Sequence, residues 1–322
     1  MKRKPLSLDL KDRKIIYELD LNARASFSEI AKKVRLHKDT VAYRVKQLEK
    51  NGVIRNYTAI LAYNSINLRI FKIFFQFQGM TKNQEEELLE YFKIHNKTGW
   101  VAQCTGAWDL IIGFSVKDSR EFNKIKTDIL IRYSKFITNL AVAEVIDAFI
   151  YPRNYLVDRS EFEEISASGT GCSTPDDLDK KILVELSKDS RRSVIDIASK
   201  LKNSARVIQY RIKKLEKEGI IKLYKLNINL DVLGYQYYKC FITLHNLTKE
   251  KERELLTYCR HNKNIIHNVI SLGSWDLEPE FEVQSSEEFF LLLKAMKNRF
   301  ANIIKRVETV QIQCEIKFNY LP

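Results

Sequence analysis

The sequence predicts an α+β protein in which two winged helix-turn-helix domains alternate with two ferredoxin-like (βαββαβ) domains in tandem, forming an intrachain pseudo-dimer. Three observations carry this prediction. The chain repeats itself at a constant spacing, and each repeat reads as three helices followed by strands and helices in the order β-α-β-β-α-β. The third observation is that the basic residues are concentrated in the helical part of each repeat.

The repeat extends over almost the whole chain without a gap. The pairs of identical residues that set its spacing include Asp12 and Asp179, Tyr43 and Tyr210, Gly52 and Gly219, and Trp108 and Trp275. Between the copies, residues 166–175 (SASGTGCSTP) have the composition of a flexible linker. The predicted units are helix-turn-helix domains over 1–62 and 176–230, ferredoxin-like domains over 63–157 and 231–322, and a linker over 158–175.

Composition and charge exclude several classes of protein. No apolar run approaches the ~18 residues of a membrane span. Residues 1–10 show no hydrophobic signal core either, so we expect a cytoplasmic location. The five cysteines form no C-x-x-C pair, so we expect reduced thiols and no metal site. The net charge is +13, of which residues 1–60 carry +8 and residues 176–225 carry +6, so the rest of the chain is close to neutral. Two separate basic segments predict two surfaces for one kind of polyanion.

The first part of each copy reads as three helices. Apolar residues at helical spacing predict the first helix over 8–21, and Ser26 with Glu29 forms a capping box that begins the second. The third helix is expected to end at about Lys50, before Gly52. A short turn between the last two helices and a β-prone segment after them predict a winged helix-turn-helix domain, which the second copy repeats.

The third helix of each copy combines a buried stripe with an outward face that is mostly polar. That face carries Lys38, Asp39, Ala42, Tyr43 and Lys46 in copy one, and Arg206, Gln209, Tyr210 and Lys213 in copy two. Such side chains can contact phosphates and base edges, and this predicts DNA recognition rather than a helical bundle with a solvated basic face. The predicted contact set also includes His37, Thr40, Arg44, Ser204 and Arg211. For Arg44 and Arg211 a local ion pair is the alternative role.

Four stretches of the chain resemble the Lrp/AsnC, or feast/famine, family of transcription regulators. They are residues 36–54 (LHKDTVAYRVKQLEKNGVI), the partner stretch 204–221, and the paired segments TGAWD and LGSWD. The resemblance implies a sequence-specific regulator that binds double-stranded DNA through its first domains and carries RAM-type second domains. Two features depart from the family pattern: members usually carry one unit per chain, and His37 stands where a Ser commonly begins the recognition helix.

The second part of copy one predicts strands over 71–77, 100–105, 110–116 and 141–151, and helices over 84–94 and 119–133. Such a sheet has helices on one face only, so we expect the other copy to cover its second face. The resemblance implies that a small effector, often an amino acid, binds between such domains near Gly106 and Asp109, and near Gly273 and Asp276. The alternative is that these four residues only shape hairpin turns. We expect Trp108 and Trp275 to pack in the hairpin or in the interface rather than to stack on a ligand.

Copy two departs from copy one in a strand that carries three glutamates. Glu278, Glu280 and Glu282 stand where copy one has Ile111, Gly113 and Ser115. Alternation places the three carboxylates on one face, which we expect to remain uncovered and solvated, with binding of a cationic effector as the alternative. Pro279 predicts an edge strand or a bulge.

The sequence carries no Walker motif, H-E-x-x-H, G-x-S-x-G or kinase signature, so it predicts neither an enzyme nor a cofactor. One enzyme alternative remains, because siroheme decarboxylases look like the same two-part unit and hold tetrapyrrole carboxylates with basic and His side chains. His245, His261 or His267 would then serve. An architectural chromatin protein of the same fold is the other alternative. Further homo-oligomerisation beyond the pseudo-dimer stays open.

Overall fold

The computed structural model describes residues 5–159, 164–169 and 174–318. Its helices are α1 (Leu10–Leu21), α2 (Phe27–Val34), α3 (Lys38–Lys50), α4 (Lys82–Ile94), α5 (Ser119–Tyr133), α6 (Asp177–Lys188), α7 (Val194–Lys200), α8 (Ala205–Lys217), α9 (Leu230–Leu233), α10 (Lys249–His261) and α11 (Ser286–Arg299). Its strands are β1 (Ile54–Leu61), β2 (Arg69–Phe77), β3 (Thr98–Gly106), β4 (Leu110–Val116), β5 (Ile137–Ile150), β6 (Ile165–Ser166), β7 (Ile221–Ile228), β8 (Gln236–Leu244), β9 (Ile265–Gly273), β10 (Leu277–Val283) and β11 (Ile304–Phe318). This order confirms the predicted tandem α+β architecture. In the part of the chain so described, no helix is long and apolar enough to span a membrane.

The two helix-turn-helix domains share one hydrophobic core. Strand β1 pairs antiparallel with β7, beginning with Ile54 opposite Ile228, so each copy supplies one strand of a two-stranded ribbon. Aliphatic side chains of both copies join a single buried cluster around the ribbon, in which Ile15 and Ile182 are fully buried. The wing strand of each domain is therefore completed by the other copy, and the two domains form one body.

Polar contacts at this junction follow the pseudo-symmetry of the repeat. The guanidinium of Arg24 lies over the ring of Tyr224, 5.3 Å from its centroid, and that of Arg191 lies 5.4 Å from the centroid of Tyr57. Each cation of one copy is thus held against an aromatic ring of the other, which adds cation–π attraction to the shared apolar core.

Eight strands of the two ferredoxin-like domains close into a ring. The sheet order is β2-β4-β3-β11-β8-β10-β9-β5-β6, and β5 also pairs with β2. The last strand of each copy makes the closure: β5 continues from β2 onto β9, and β11 continues from β8 onto β3. Strand β5 begins at Ile137, earlier than predicted, because its first residues extend the ladder with β2 from Ile137 opposite Phe77. The ring confirms the intrachain pseudo-dimer.

The two faces of the ring have different packing. Helices α4 and α5 cover the outer face of copy one, and α10 and α11 cover that of copy two. Inside the ring, aromatic side chains from both copies meet, with centroid separations from 4.4 Å for Phe74 and Trp275 to 6.1 Å for Trp108 and Trp275. The second copy therefore covers the open face of the first, as predicted, and both tryptophans pack in the interface.

The predicted linker, 158–175, packs against the body over its central described part, while 160–163 and 170–173 lie outside the described residues. Ile165 and Ser166 form β6, which pairs with β5. The backbone N–H of Ser168 donates to Asp147 at 3.2 Å, and Ala167 is buried. Small residues allow this segment to lie close to the sheet despite a composition that is typical of free linkers.

The edge-strand interpretation of Pro279 is wrong. Strand β10 lies inside the sheet, between β8 and β9. Its ladder with β8 joins Leu277 to Ile242 and then Glu280 to Lys239, so it skips the proline, which has no N–H to donate. The irregularity expected of a proline follows between Glu280 and the next residue, where the register with β9 shifts.

Candidate nucleic-acid interface and interior cavity

Helices α3 and α8 occupy equivalent positions in the two helix-turn-helix domains. Each buries three aliphatic residues, which are Val41, Val45 and Leu48 in α3 and Ile208, Ile212 and Leu215 in α8. The N-termini differ: the hydroxyl of Ser204 accepts the N–H of Val207 at 3.3 Å, whereas His37 makes no side-chain cap hydrogen bond. The replacement of Ser by His thus removes one cap from the first recognition helix.

The outward faces of both helices are open to solvent. Their exposed predicted contact residues are His37, Lys38, Asp39, Thr40, Tyr43, Lys46, Ser204, Arg206, Gln209, Tyr210 and Lys213, while Ala42 is half-buried. Tyr43 is 64% exposed and its equivalent Tyr210 is 66% exposed. A large aromatic side chain left uncovered at the same place in both copies, among basic neighbours, is typical of a contact surface. That these residues touch DNA stays a prediction.

Arg44 and Arg211 form the local ion pairs that were the alternative to DNA contact. Nη1 of Arg44 lies 2.8 Å from a carboxylate oxygen of Asp9 and 2.7 Å from one of Asp12. Arg211 pairs in the same way with Asp176 and with Asp179, the latter at 3.2 Å. Each arginine therefore joins its recognition helix to the N-terminus of the first helix of the same domain.

The two aspartates of the proposed effector site accept backbone hydrogen bonds in the hairpin. Oδ2 of Asp109 accepts the N–H of Phe77 at 2.8 Å, and Oδ2 of Asp276 accepts the N–H of Leu244 at 2.7 Å. In both copies the carboxylate ties the turn after the second strand of the ferredoxin-like fold to the end of that fold's first strand. This is the structural role that the sequence left as an alternative to ligand binding.

The two glycines of the same turns are required by close approach of the backbone. Both have positive φ, 123° at Gly106 and 146° at Gly273. A Cβ on Gly106 would lie 2.5 Å from the carbonyl oxygen of Thr309, and one on Gly273 would overlap the carbonyl oxygen of Val142. Effector binding at these turns stays a prediction, because the backbone alone accounts for all four residues.

The expectation of a solvated acidic face in copy two is wrong. Glu278, Glu280 and Glu282 are 0%, 5% and 1% exposed. The face is covered because copy one closes the ring over it and the β1–β7 ribbon lies across its end. Glu278 pairs with Lys72 and, at 2.7 Å, with Lys239. Burial alone would raise the pKa of Glu278, but the two ammonium groups hold it to about 2.

The other two glutamates belong to the same buried network. Glu280 pairs with Lys239 and lies 2.8 Å from Nδ1 of His267. Glu282 receives two hydrogen bonds from the guanidinium of Arg153, at 2.8 and 2.9 Å. These contacts were missed because the sequence shows the alternation of the glutamates but not the distant cations.

Arg153 and Lys225 also connect the ring to the helix-turn-helix pair. Both cations pair with Asp20 of α1, which is fully buried, Lys225 at 2.9 Å. Burial raises the pKa of Asp20, and the positive charges of Lys225 and Arg153 lower it further than that, so the net shift is downward. One charged cluster therefore ties together α1, β7, β10 and the segment after β5.

A cavity of about 180 Å³ lies where the ribbon covers the end of the ring. Its lining includes Thr58, Ile60, Leu226 and Ile228 of the ribbon and residues from strands β2, β3, β4, β5, β8, β9, β10 and β11 of the ring. Of the three histidines considered for tetrapyrrole binding, His267 lines this cavity. His245 and His261 instead hydrogen bond to Asn246 and to the carbonyl of Thr257.

No cluster of His, Cys, Asp and Glu able to hold a metal ion is found within the described ranges. The cysteines described there, Cys104, Cys240, Cys259 and Cys314, are all free thiols. Burial raises the pKa of Cys104 to about 12 and that of Cys259 to about 12, so neither is a reactive thiolate at neutral pH.

Comparison with known proteins gives two kinds of likeness. A family described as winged helix-turn-helix DNA-binding matches residues 8–55 and 175–222, which correspond to the two predicted helix-turn-helix domains. A solved structure of the siroheme decarboxylase NirDL resembles the whole fold, with a TM-score of 0.62 over 96% of this chain and 92% of that one, at 13% identity. At that identity the likeness concerns the fold alone.

Relatives in sequence are regulators. An uncharacterised HTH-type transcriptional regulator of Pyrococcus furiosus is 31% identical over 121 residues, 38% of this chain and 80% of the relative. The HTH-type transcriptional regulator FL11 of Pyrococcus abyssi is 32% identical over 123 residues, 37% of this chain and 77% of the relative. Both matches span more than two thirds of the relative, and the paired motifs recur in each copy. The chain therefore belongs to the Lrp/AsnC family of HTH-type transcriptional regulators.

Proposed function

We propose that this regulator binds DNA sequence-specifically and reads an asymmetric operator with two unlike recognition helices. The proposal rests on one observation: the two helix-turn-helix domains share a core, but the exposed faces of α3 and α8 carry different residues. The core and the β1–β7 ribbon fix α3 and α8 relative to each other, while their exposed faces differ at equivalent positions. A symmetric homodimer of single-unit chains has no means of making this distinction.

The chemistry of the two faces predicts different base preferences. Helix α8 carries Arg206 and Gln209, which suit bidentate contacts with guanine and adenine in the major groove. At the equivalent positions α3 carries Asp39 and Ala42. Asp39 can accept a hydrogen bond from the N4 amino group of cytosine, and Ala42 can make an apolar contact with the methyl group of thymine. We expect the two half-sites to differ accordingly.

The basic residues supply the affinity that does not depend on sequence. Lys46 and Lys213 are exposed at equivalent positions on the two helices and suit contact with phosphates. Their contacts release condensed counterions, so binding weakens steeply as salt rises. The near-neutral charge of the remaining chain confines this attraction to the two helix-turn-helix domains.

The test is selection of binding sites from random duplex DNA with the purified full chain. We expect an enriched site of two unlike halves, and the α8 half should lose its base preference in a variant that carries Arg206→Ala and Gln209→Ala. A perfect palindrome, read equally by both helices, would contradict the proposal. Enrichment of no sequence would favour the architectural alternative, which genome-wide occupancy mapping would then confirm by broad, even coverage.

An amino-acid-like effector and higher assembly are supported by the family resemblance. Titration of amino acids into the complex with the selected operator, followed by fluorescence anisotropy, tests the first point. Asp109→Asn and Asp276→Asn should abolish the response if the turns bind the effector. Analytical ultracentrifugation with and without the responsive amino acid tests the second point.

A siroheme decarboxylase activity is supported by the whole-chain likeness of fold and by the place of His267 in the cavity. The electrostatics oppose it, because the cations Lys72, Lys239, Arg153 and Lys225 are already paired with carboxylates of the chain. The cavity of about 180 Å³ is also below the ~300 Å³ at which pockets for drug-sized ligands begin. Incubation with siroheme, followed by absorption spectroscopy and mass analysis of the pigment, is expected to show neither binding nor loss of carbon dioxide.

A further inference from the structure

The cavity at the end of the ring exists because the two copies are unequal there. Three of its small lining residues in copy one stand where copy two has a longer acidic side chain, and the pairs are Gly113 and Glu280, Ser115 and Glu282, and Ala148 and Glu315. All six residues line the cavity. A symmetric arrangement would place three carboxylates on each side, whereas this chain keeps them on one side and leaves space on the other.

Two of these carboxylates face the space beside aromatic rings. The indole N–H of Trp100 donates to Oε1 of Glu315 at 2.8 Å, and the hydroxyl of Tyr237 donates to Glu280. Both rings line the cavity, and so does Phe318. Carboxylates set among aromatic faces are the surroundings that attract an organic cation, through charge and through the ring quadrupoles.

The charges around the cavity are unevenly compensated. Four cations also line it, Lys72, Arg153, Lys225 and Lys239, and each is paired with a buried carboxylate of the chain. Glu280 is likewise paired, with Lys239 and His267. Within the described residues, no Lys, Arg or His nitrogen forms an ion pair with Glu315. Burial raises the pKa of Glu315 and the carboxylate of Glu280 raises it further, while the Trp100 hydrogen bond and the more distant charges of Arg55 and His267 lower it. A ligand cation would relieve the repulsion between the two carboxylates.

The volume limits the size of the occupant. A dry cavity of about 150 Å³ is enough to hold benzene, so the 180 Å³ here accommodates one ring or a short alkyl chain with its charged group. We propose that the cavity binds a small primary ammonium compound, with its charge against Glu315 and its apolar body against Trp100, Tyr237 and the small residues of copy one.

This site lies beneath the ribbon that fixes the two recognition helices, and away from the Gly-x-x-Asp turns. The proposal is independent of DNA binding, because occupancy is measured on the free protein. A failure to bind cations would leave the proposed operator reading intact, and a failure to bind DNA would leave the cation site intact.

The test is ligand-observed fluorine NMR on the full chain, with 4-fluorobenzylamine as the cationic probe and 4-fluorobenzoate as its anionic counterpart. We expect the amine signal to broaden with a Kd of about 1 mM, typical of weak fragment-sized binding, and the benzoate signal to stay sharp. Equal broadening of both signals, broadening of the benzoate alone, or none of either at 5 mM probe (about five times that Kd) would overturn the proposal.

Two variants locate the binding. Glu315→Gln keeps an acceptor for the Trp100 N–H and removes the charge, so amine binding should weaken by about tenfold. Ala148→Phe fills the space, and Ala301→Phe is its control, because Ala301 is exposed and does not line the cavity. Binding should be lost in the first alanine variant and kept in the second. If Ala148→Phe does not fold, the test rests on Glu315→Gln. Undiminished amine binding by the Glu315→Gln variant would contradict the proposal.

Discussion

At the scale of the residue, the least expected feature is a set of ion pairs inside the ring. Lys72 and Glu278 are 206 positions apart in the sequence and meet with no exposed atoms on the carboxylate. A buried ion pair stabilises a protein little more than well-packed apolar side chains of the same volume would. Removal of one partner is costly, however, because it leaves an uncompensated charge in a medium of low polarity. Their value is expected to lie in fixing how the two copies meet.

Replacing Glu278 by Gln should therefore be severely destabilising. We expect a loss of about 3–5 kcal/mol in the free energy of unfolding, because Lys72 would remain buried without an anion and Lys239 would keep only Glu280. Urea denaturation measures it. Glu90→Gln is the control, since Glu90 pairs with Lys93 on the surface at 57% and 53% exposure, and its loss should cost less than about 1 kcal/mol. Equal effects of the two changes would show that the ring tolerates a buried Lys72 without its anion.

The same pair sets a dependence of stability on pH. The pKa of Glu278 is lowered from 4.5 to about 2, and that of Glu280 is lowered as well. A depressed carboxylate pKa contributes stability that is fully present above pH 4.5 and is lost as the pH falls toward 2. Denaturation midpoints measured across this window should fall more steeply for the parent protein than for the Glu278→Gln variant. Parallel profiles would contradict the assignment.

On the recognition helices, single residues should separate base reading from phosphate contact. Arg206→Ala is expected to cost about 1–3 kcal/mol on the selected operator and to relax the preference at one or two base pairs of one half-site. Lys213→Ala should weaken binding to every sequence and reduce the salt slope by about one. Anisotropy titrations at several salt concentrations distinguish the two. Identical behaviour of the two variants would remove the case for direct readout by Arg206.

At the scale of the element, the sequence predicted most helices and strands because their signals are local. Ser26 and Glu29 do form the capping box, and α5 has the predicted bounds. The stripe of Val41, Val45 and Leu48 is buried as predicted, so the sequence also identified correctly which residues of α3 face outward.

The interior site was not predicted, because its parts come from strands in both copies. Alternation correctly placed Glu278, Glu280 and Glu282 on one face, yet nothing in that pattern indicates what covers the face. The cover comes from ring closure and from the ribbon, which are long-range pairings. The prediction of an edge strand at Pro279 failed for a similar reason. Proline has no N–H to donate, but an interior strand can leave one position of its ladder without a hydrogen bond.

The hairpin between β3 and β4 provides a test of close backbone packing. Gly106→Ala should be more destabilising than Gly79→Ala by about 1–3 kcal/mol, because only the first Cβ meets a neighbouring carbonyl. Gly79 has φ 67°, in the left-handed region that other residues can adopt, and nothing lies within 4 Å of its Cβ position, whereas φ 123° at Gly106 adds backbone strain to the contact. Thermal and urea denaturation of the two variants measure the difference. A Gly106→Ala protein as stable as the control would show that β11 can move away.

At the scale of the whole molecule, the shared cores predict that the two copies unfold together. One hydrophobic cluster spans both helix-turn-helix domains, and the ring joins four strands of copy one to four strands of copy two at both junctions. Far-ultraviolet circular dichroism, which reports the helices, and fluorescence of the three tryptophans, which lie in the ring, should give one coincident thermal transition. Two separated transitions would mean that a copy or a layer is stable alone.

Closure of the ring within one chain also leaves no strand of the ring to pair with another chain in place of the second copy. The strand edges that could join protomers are occupied by the other copy, and β1 and β7 use each other as partners. Dilution therefore cannot separate the two helix-turn-helix domains, and neither wing strand is free to pair with that of a single-unit family member. Because both recognition helices belong to one chain, the proposed asymmetry of the operator would not depend on the concentration of any second protein.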